Sequence, residues 1–293
     1  MDLRQLSYFL AVVDEGTFTA AASAVAVAQP SLSQAVRALE NELGTELFHR
    51  VGRNVQLTSA GTALVEPARQ ALRDADVARE AVRAVAGLEA GRLDLASLPT
   101  LAAEPVAGLV GAFARAHRGV AVRLVSPEDA GTVDDLVRSG ECEIGFTELH
   151  PDVAGLVQRR LFRQDLLAVF PPGSPSHETV GLRALAATPL VTTPPGTSSR
   201  RLLDDAFAAA GLTPRVAVEA NARDAILPLV LAGAGASLLP RPLTQGAAAQ
   251  GAVVSVVRPA IYRDVGAIHR PGPLSPAARA FLDLLPVTPG ASR

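Results

Sequence analysis

Gln34 and Arg37 stand about one helical turn apart in the run Gln29 to Gly44, QPSLSQAVRALENELG. At about 100° per residue, Leu32, Val36, Leu39 and Leu43 form one narrow stripe, while Ser33, Gln34, Arg37 and Asn41 face the other way. Pro30 suits the first turn of this helix and Gly44 its stop. Short polar groups and one guanidinium on an outward face can reach base edges in a major groove about 12 Å wide. Gln can pair with adenine and Arg with guanine, each through two hydrogen bonds.

A second set of residues is rich in hydroxyls. Ser97 and Thr100 follow a first strand, and Thr147 follows a third. Thr192 and Thr193 lead into Pro194-Pro195-Gly196-Thr197-Ser198-Ser199 before a helix, and Asn221 lies near the start of another. Such turns feed helix N-termini and could hold a carboxylate or similar small anion. Helix capping explains any one of them equally well, but the cluster Thr192–Ser199 favours ligand contact. Arg200 could assist there or point to solvent.

Other chemistries lack their residues. His49, His117, His150, His177 and His269 show no metal-ligand spacing and no partner cysteine, so no metal is expected. The one cysteine, Cys142, excludes an internal disulfide and lies in a strand-like run, where buried packing is expected. Gly233-Ala234-Gly235 lacks the third glycine of a dinucleotide fingerprint, and no Gly-x-Ser-x-Gly elbow occurs. No catalytic residue, cofactor or enzymatic activity is expected.

Three regions must position these groups. Residues 1–57 are helical with one glycine-marked break, 58–88 form one long alanine-rich helical pattern, and 89–293 alternate strands with helices. In the last, strands are expected at Arg92–Ser97, Val120–Ser126, Glu143–Phe146, Leu166–Phe170, Leu190–Thr192, Arg215–Glu219, Ala236–Leu239 and Tyr262–His269. Helices fall near Pro105–His117, Thr132–Ser139, Ser198–Ala210, Arg223–Ala232 and Ser275–Leu285. This order implies βαβ units and a parallel sheet, in two α/β lobes: about 92–161 plus 268–293, and about 162–267.

At the N-terminus, Leu3–Val13 presents Leu3, Leu6, Leu10 and Val13 on one face. Phe18–Val25 is a second helix, and a short turn joins it to the helix carrying Gln34: a helix-turn-helix. Two short β-like runs around Val51-Gly52 make a hairpin wing bearing Arg50 and Arg53. The series Phe9, Val12-Val13, Gly16 to Ala22, Gln29 to Gln34, Leu39-Glu40, Leu43-Gly44, Leu47-Phe48, Arg50, Arg53 and Leu57 to Gly61 resembles the opening of LysR-type transcriptional regulators. Where that family usually carries Ser or Thr before Gln29, this chain has Ala28; Ser31 could do part of that capping work.

The resemblance implies an N-terminal winged helix-turn-helix, a long linker helix, and a two-lobed α/β effector-binding domain similar to periplasmic binding proteins. It implies DNA contacts from Gln29, Pro30, Ser31, Ser33, Gln34, Arg37, Arg50 and Arg53, with no catalysis. It also implies homodimers, often paired into homotetramers, acting on double-stranded DNA under a small-molecule effector. The sensor anchors are Asp94 to Ser97 with Pro99-Thr100, Gly140 to Gly145, and Val230 to Gly235 ending at Pro240.

The spacing of the linker agrees with dimers. Gly61, Leu64, Ala68, Ala71, Ala75, Ala78, Val82 and Val85 alternate at three and four residues, as on a coiled-coil seam. The rod would be about 45 Å long, with Pro67 expected to interrupt and bend its first turns.

Charge is the main objection. The chain has a net charge of −2, all its basic residues are arginine, and residues 1–57 set Arg4, Arg37, Arg50 and Arg53 against Asp2, Asp14, Glu15, Glu40, Glu42 and Glu46. One head should therefore bind DNA weakly; several heads on one assembly would bind tightly. Met1-Asp2-Leu3-Arg4 does not open a signal peptide. The uncharged stretch Ala225 to Pro240, broken by Pro228, Gly233 and Gly235, is too short to span a membrane. A cytoplasmic protein is expected. The rival readings are an enzyme or a small-molecule-binding protein with a helical interaction domain; binding to DNA flanking its own gene would exclude both.

Overall fold

The structure, a computed structural model, describes residues 1–51, 54–85, 91–151 and 155–286. It divides into two compact units, Met1–Ala90 with Pro273–Pro276, and Gly91–Gly272 with Ala277–Arg293.

The first unit opens with α1 (Leu3–Glu15). Asp2 accepts from the Gln5 amide at 2.8 Å while the Gln5 side chain accepts from the Asp2 amide, a reciprocal cap that satisfies two free donors. Gly16 ends the helix at φ 71°, where a side chain would be strained. Thr17 caps α2 (Phe18–Ala24), and α3 runs Gln29–Leu43 with Ala28 before it, giving no side-chain cap. Ser31 makes no capping bond in its place. The hairpin β1 (Phe48–Val51) and β2 (Asn54–Leu57) pairs Phe48 with Leu57 and Val51 with Asn54. Then α4 (Ser59–Val85) continues through Pro67 as one helix, rather than being interrupted there.

Phe9, Val12, Leu32, Val36, Leu39 and Leu47 fill the core of this unit. The rings of Phe9 and Phe18 lie 5.3 and 5.7 Å from Phe48. On α1 the buried face is Leu6, Phe9, Leu10 and Val12, whereas Leu3, expected on that face, is 37% exposed. Leu43, expected on the α3 stripe, is likewise 41% exposed in the last turn.

The second unit begins with β3 (Gly91–Ser97), α5 (Pro99–Leu101), a kinked turn over Ala102–Val106 and α6 (Ala107–Ala116). β4 (Val120–Val125), α7 (Ala130–Arg138) and β5 (Ile144–Glu148) complete the first lobe's parallel core, in which β3 pairs with both β4 and β5. The long strand β6 (Val157–Phe170) crosses to the second lobe. There lie β7 (Thr179–Gly181), α8 (Leu182–Ala187), β8 (Leu190–Thr192), α9 (Ser198–Ala209) and β9 (Val216–Glu219). A 3₁₀ turn at Arg223–Ala225, α10 (Ile226–Leu231), β10 (Ser237–Pro240) and α11 (Arg241–Ala249) follow. The returning strand is β11 (Val253–His269), and α12 (Pro276–Asp283) packs Phe281 against Phe113 and Phe146 of the first lobe.

The main sheet is mixed, not parallel, with order β10-β6-β11-β5-β3-β4 and β7 beside β11. β11 runs antiparallel to β6 and β5, so a 14-residue and a 17-residue strand cross between the lobes as a pair. Sequence periodicity located only their apolar ends, because Gln158 to Gln164 and Arg258-Pro259 break the hydrophobic run. β7, α8 and α11 were not anticipated; Pro and Gly inside Arg241–Ala249 hide that helix.

Candidate functional site

The outward face of α3 is held by its inward one. Leu32, Val36 and Leu39 are fully buried, which fixes the helix rotation and leaves Gln29, Pro30, Ser31, Gln34 and Arg37 exposed. Ser33 is half-buried and accepts from Gln29 Nε2 at 2.9 Å. Arg37 enters no hydrogen bond or ion pair among the described residues, so its five donors are available to a partner. It opens on a surface groove of about 850 Å³ that Ser33, Asn41, Thr45 and His49 also line. Arg53 and the Arg50 side chain lie outside the described residues.

Several acids that weigh on the head's charge are engaged within it. Asp2 caps α1, and Asp14 pairs with Arg69 of α4 at 2.8 Å. Glu42 meets the N-terminal amine. Glu40 accepts from the Leu47 amide at 2.8 Å and the Phe48 amide at 3.4 Å, tying α3 to the wing.

The linker residues divide. Ala68 is 1% exposed inside the head's own core, and Leu64 and Ala71 pack against that core. Ala75 is half-buried, Ala78 is exposed and Val82 is 70% exposed. The N-terminal half of the seam is thus covered by the same chain.

In the second unit a cavity of about 620 Å³ lies between the lobes. Thr100, Ser126 and Glu128 line it from the first lobe; Thr192, Thr193 and Arg223 line it from the second. Its other wall is apolar, with Leu203, Ile226, Leu227, Leu239 and Leu243. Thr193 and Thr197 share a hydroxyl–hydroxyl bond of 2.5 Å, and Thr197 caps α9 by accepting from the Arg200 amide.

The remaining hydroxyls are placed differently. Ser97 is buried and donates to the Leu98 carbonyl, while Thr147 and Ser198 are buried with no partner for Oγ1 and Oγ respectively. None of these three lines the cavity. Asn221 is exposed and away from the lining, because the loop after β9 carries it to the surface. Arg200 is turned from the cavity onto Asp204 and Glu219; burial would lower its pKa, but those two carboxylates hold it above the usual range.

Two arginines at this cleft escaped the sequence reading. Arg223 donates to Ser199 Oγ at 2.7 Å and to the Glu128 carboxylate across the lobes. Arg263, on β11, is 5% exposed and donates to Gln164 Oε1 and, at 2.6 Å, to Thr100 Oγ1. Burial, and then the charge of Arg223, push its pKa down to about 10. The signal was available: Ile261, Arg263 and Val265 share one parity of a strand whose apolar members face inward. Cys142 is fully buried, and burial pushes its thiol up to about 11, far from thiolate reactivity. Among the described residues no group of three His, Cys, Asp or Glu could hold a metal ion, and no helix is long and apolar enough to cross a membrane.

Comparison with known proteins finds two family models along the chain. Residues 3–62 match the model of the bacterial regulatory helix-turn-helix protein, lysR family, and residues 86–286 match the LysR substrate binding domain. The chain is 32% identical over 290 residues to the HTH-type transcriptional regulator IlvR of Caulobacter vibrioides, covering 97% of both. It is 30% identical to the HTH-type transcriptional regulator ClcR of Pseudomonas putida, covering 98% of this chain and 99% of that one. Among solved structures, CbnR, a LysR family transcriptional regulator, superposes with TM-score 0.64 at 26% identity over 97% of each chain. OxyR of Pseudomonas aeruginosa shares the fold with TM-score 0.75 at 23% identity, covering 97% of this chain and 95% of that one. With one domain matched at each end and relatives aligned along nearly its whole length, this chain belongs to the LysR family of transcriptional regulators.

Proposed function

We propose that this chain binds DNA sequence-specifically and regulates transcription under the control of a small molecule held between the two lobes of its effector domain. The carrying observation is the face of α3. Leu32, Val36 and Leu39 lock the helix while Gln34 and Arg37 stand exposed, and Arg37 has no partner among the described residues. A relative at 27% identity and TM-score 0.64, covering 97% of this chain and 98% of that one, is described as full-length CbnR complexed with its target DNA, which supports the reading.

The chain acts by binding rather than catalysis, in the cytoplasm where the DNA lies, as a homodimer or homotetramer. Two heads on one assembly offset the weak attraction of each. The seam available to a partner is Ala75, Ala78 and Val82, since Leu64, Ala68 and Ala71 serve the head.

Operator and random-duplex affinity across a salt series tests the assignment. Gln34→Ala and Arg37→Ala should each lower operator affinity by about 1–3 kcal/mol more than random-duplex affinity. Arg53→Ala should weaken both alike and flatten the salt dependence. Equal weakening of both duplexes by Arg37→Ala would make Arg37 a phosphate contact and refute base reading by it.

A further inference from the structure

We infer that the groove beside α3 receives one phosphate strand of the DNA, and that protonated His49 is a backbone contact there which makes DNA affinity depend on pH. This rests on the reading of α3 as the helix that enters the major groove.

Ser33, Arg37 and Asn41 recur every fourth residue, so they share one flank of α3. All three line the groove of about 850 Å³, as do Phe18 at the start of α2, Thr45 in the turn after α3 and His49 on β1. An α-helix with its side chains is about 10–12 Å across, and the major groove is about 12 Å wide. A duplex that admits α3 therefore brings the phosphates of each groove rim against a flank of the helix. On the flank of Ser33 and Arg37 the space those phosphates must enter is this groove, and His49 is part of its lining.

The fixed charges of the groove do not favour an anion. Arg37, Glu40 and Glu46 line it, and two carboxylates against one guanidinium leave it one charge negative. Glu40 cannot turn away, because it accepts from the Leu47 and Phe48 amides; Glu46 is exposed. Gln56, paired with His49 across the hairpin, is uncharged. His49 is exposed, and its imidazole enters no hydrogen bond or ion pair among the described residues. An imidazole titrates around pH 6.5, and its proton makes both ring nitrogens donors. Protonation of His49 thus cancels the excess negative charge and adds a cation beside Arg37. Phosphate favours that form, so affinity falls as pH rises through this region. No other histidine occurs in residues 1–90, and the amine of Met1 is held by Glu42.

The test measures affinity of the full chain for random-sequence duplex and for the DNA flanking its gene, at about pH 6 and about pH 8, across a salt series. Wild type should bind both duplexes about fivefold or more tighter at the lower pH, with a salt slope steeper by about 0.9 for each head engaged. The factor should be similar on the two duplexes, because a phosphate contact carries no sequence information. His49→Gln should lose the pH dependence, while His49→Arg should bind tightly at both pH values. The N-terminal amine and the histidines of the second unit are unchanged in both variants, so the comparison isolates His49. Equal wild-type affinity at the two pH values, or a pH dependence that survives His49→Gln, overturns the inference while the DNA-binding reading stands. Failure of wild type to bind either duplex at any pH or salt overturns both.

Discussion

Gly61→Ala probes how the head holds its wing. A Cβ at Gly61 would lie 2.1 Å from the Leu47 carbonyl oxygen and 2.8 Å from a Leu57 methyl. The methyl can rotate away, but the carbonyl cannot: it accepts from the Thr58 amide at 3.0 Å, and the Leu47 amide is held by Glu40. Reaching even the 3.4 Å of ordinary contact needs a backbone shift of about 1.3 Å. Overpacking of this kind costs about 1–3 kcal/mol, and loss of the Thr58–Leu47 bond adds about 1 kcal/mol. Alanine's better helix propensity returns about 1 kcal/mol. The net is a destabilisation of about 1–3 kcal/mol, falling on the joint between α4, α3 and the wing. Gly246→Ala is the counterpart, since Gly246 lies inside α11 with nothing within 4 Å of its added Cβ, and it should stabilise by about 0.5–1 kcal/mol. Urea unfolding with hydrogen exchange at the α3 amides reads both. If Gly61→Ala leaves the midpoint and the α3 protection unchanged, Leu47 and α4 are not packed as described.

Two further outcomes follow from placement. Ala78→Glu and Val82→Glu alter exposed positions and should leave the head folded, yet split the assembly and weaken operator binding by roughly 10²-fold through lost avidity; an unchanged mass by light scattering would remove this seam. Asp134 is buried, with His150 on one oxygen at 3.2 Å and no partner on the other. Burial raises its pKa against the pull of His150 and Arg138, so ionising it in the folded state weakens folding as pH rises from about 3.8 through the raised value. Asp134→Asn should gain on wild type over that window in denaturant midpoint, and a difference that does not change with pH would contradict the burial assignment.

The sequence alone determined what depends on local spacing. The α3 stripe and its polar back, the glycine stop at Gly44, and the hydroxyls at strand ends are all one-dimensional patterns, and the helix-turn-helix with its family resemblance followed from them. Tertiary structure decided what depends on pairing across the chain. β6 and β11 find each other over about a hundred residues, and their charged middle segments hid that length from any reading of hydrophobic period. The heptad seam was equally compatible with a second chain or with α1, and packing gave Ala68 to the head. Asn221 and Ser97 looked like Thr100 in sequence, yet only Thr100 meets the cavity. Arg263 is the clearest case, because its bond to Gln164 spans 99 positions and its bond to Thr100 spans 163. No local pattern encodes such a contact; it exists because the crossing strands bring an inward-facing arginine under the first turn of a distant helix.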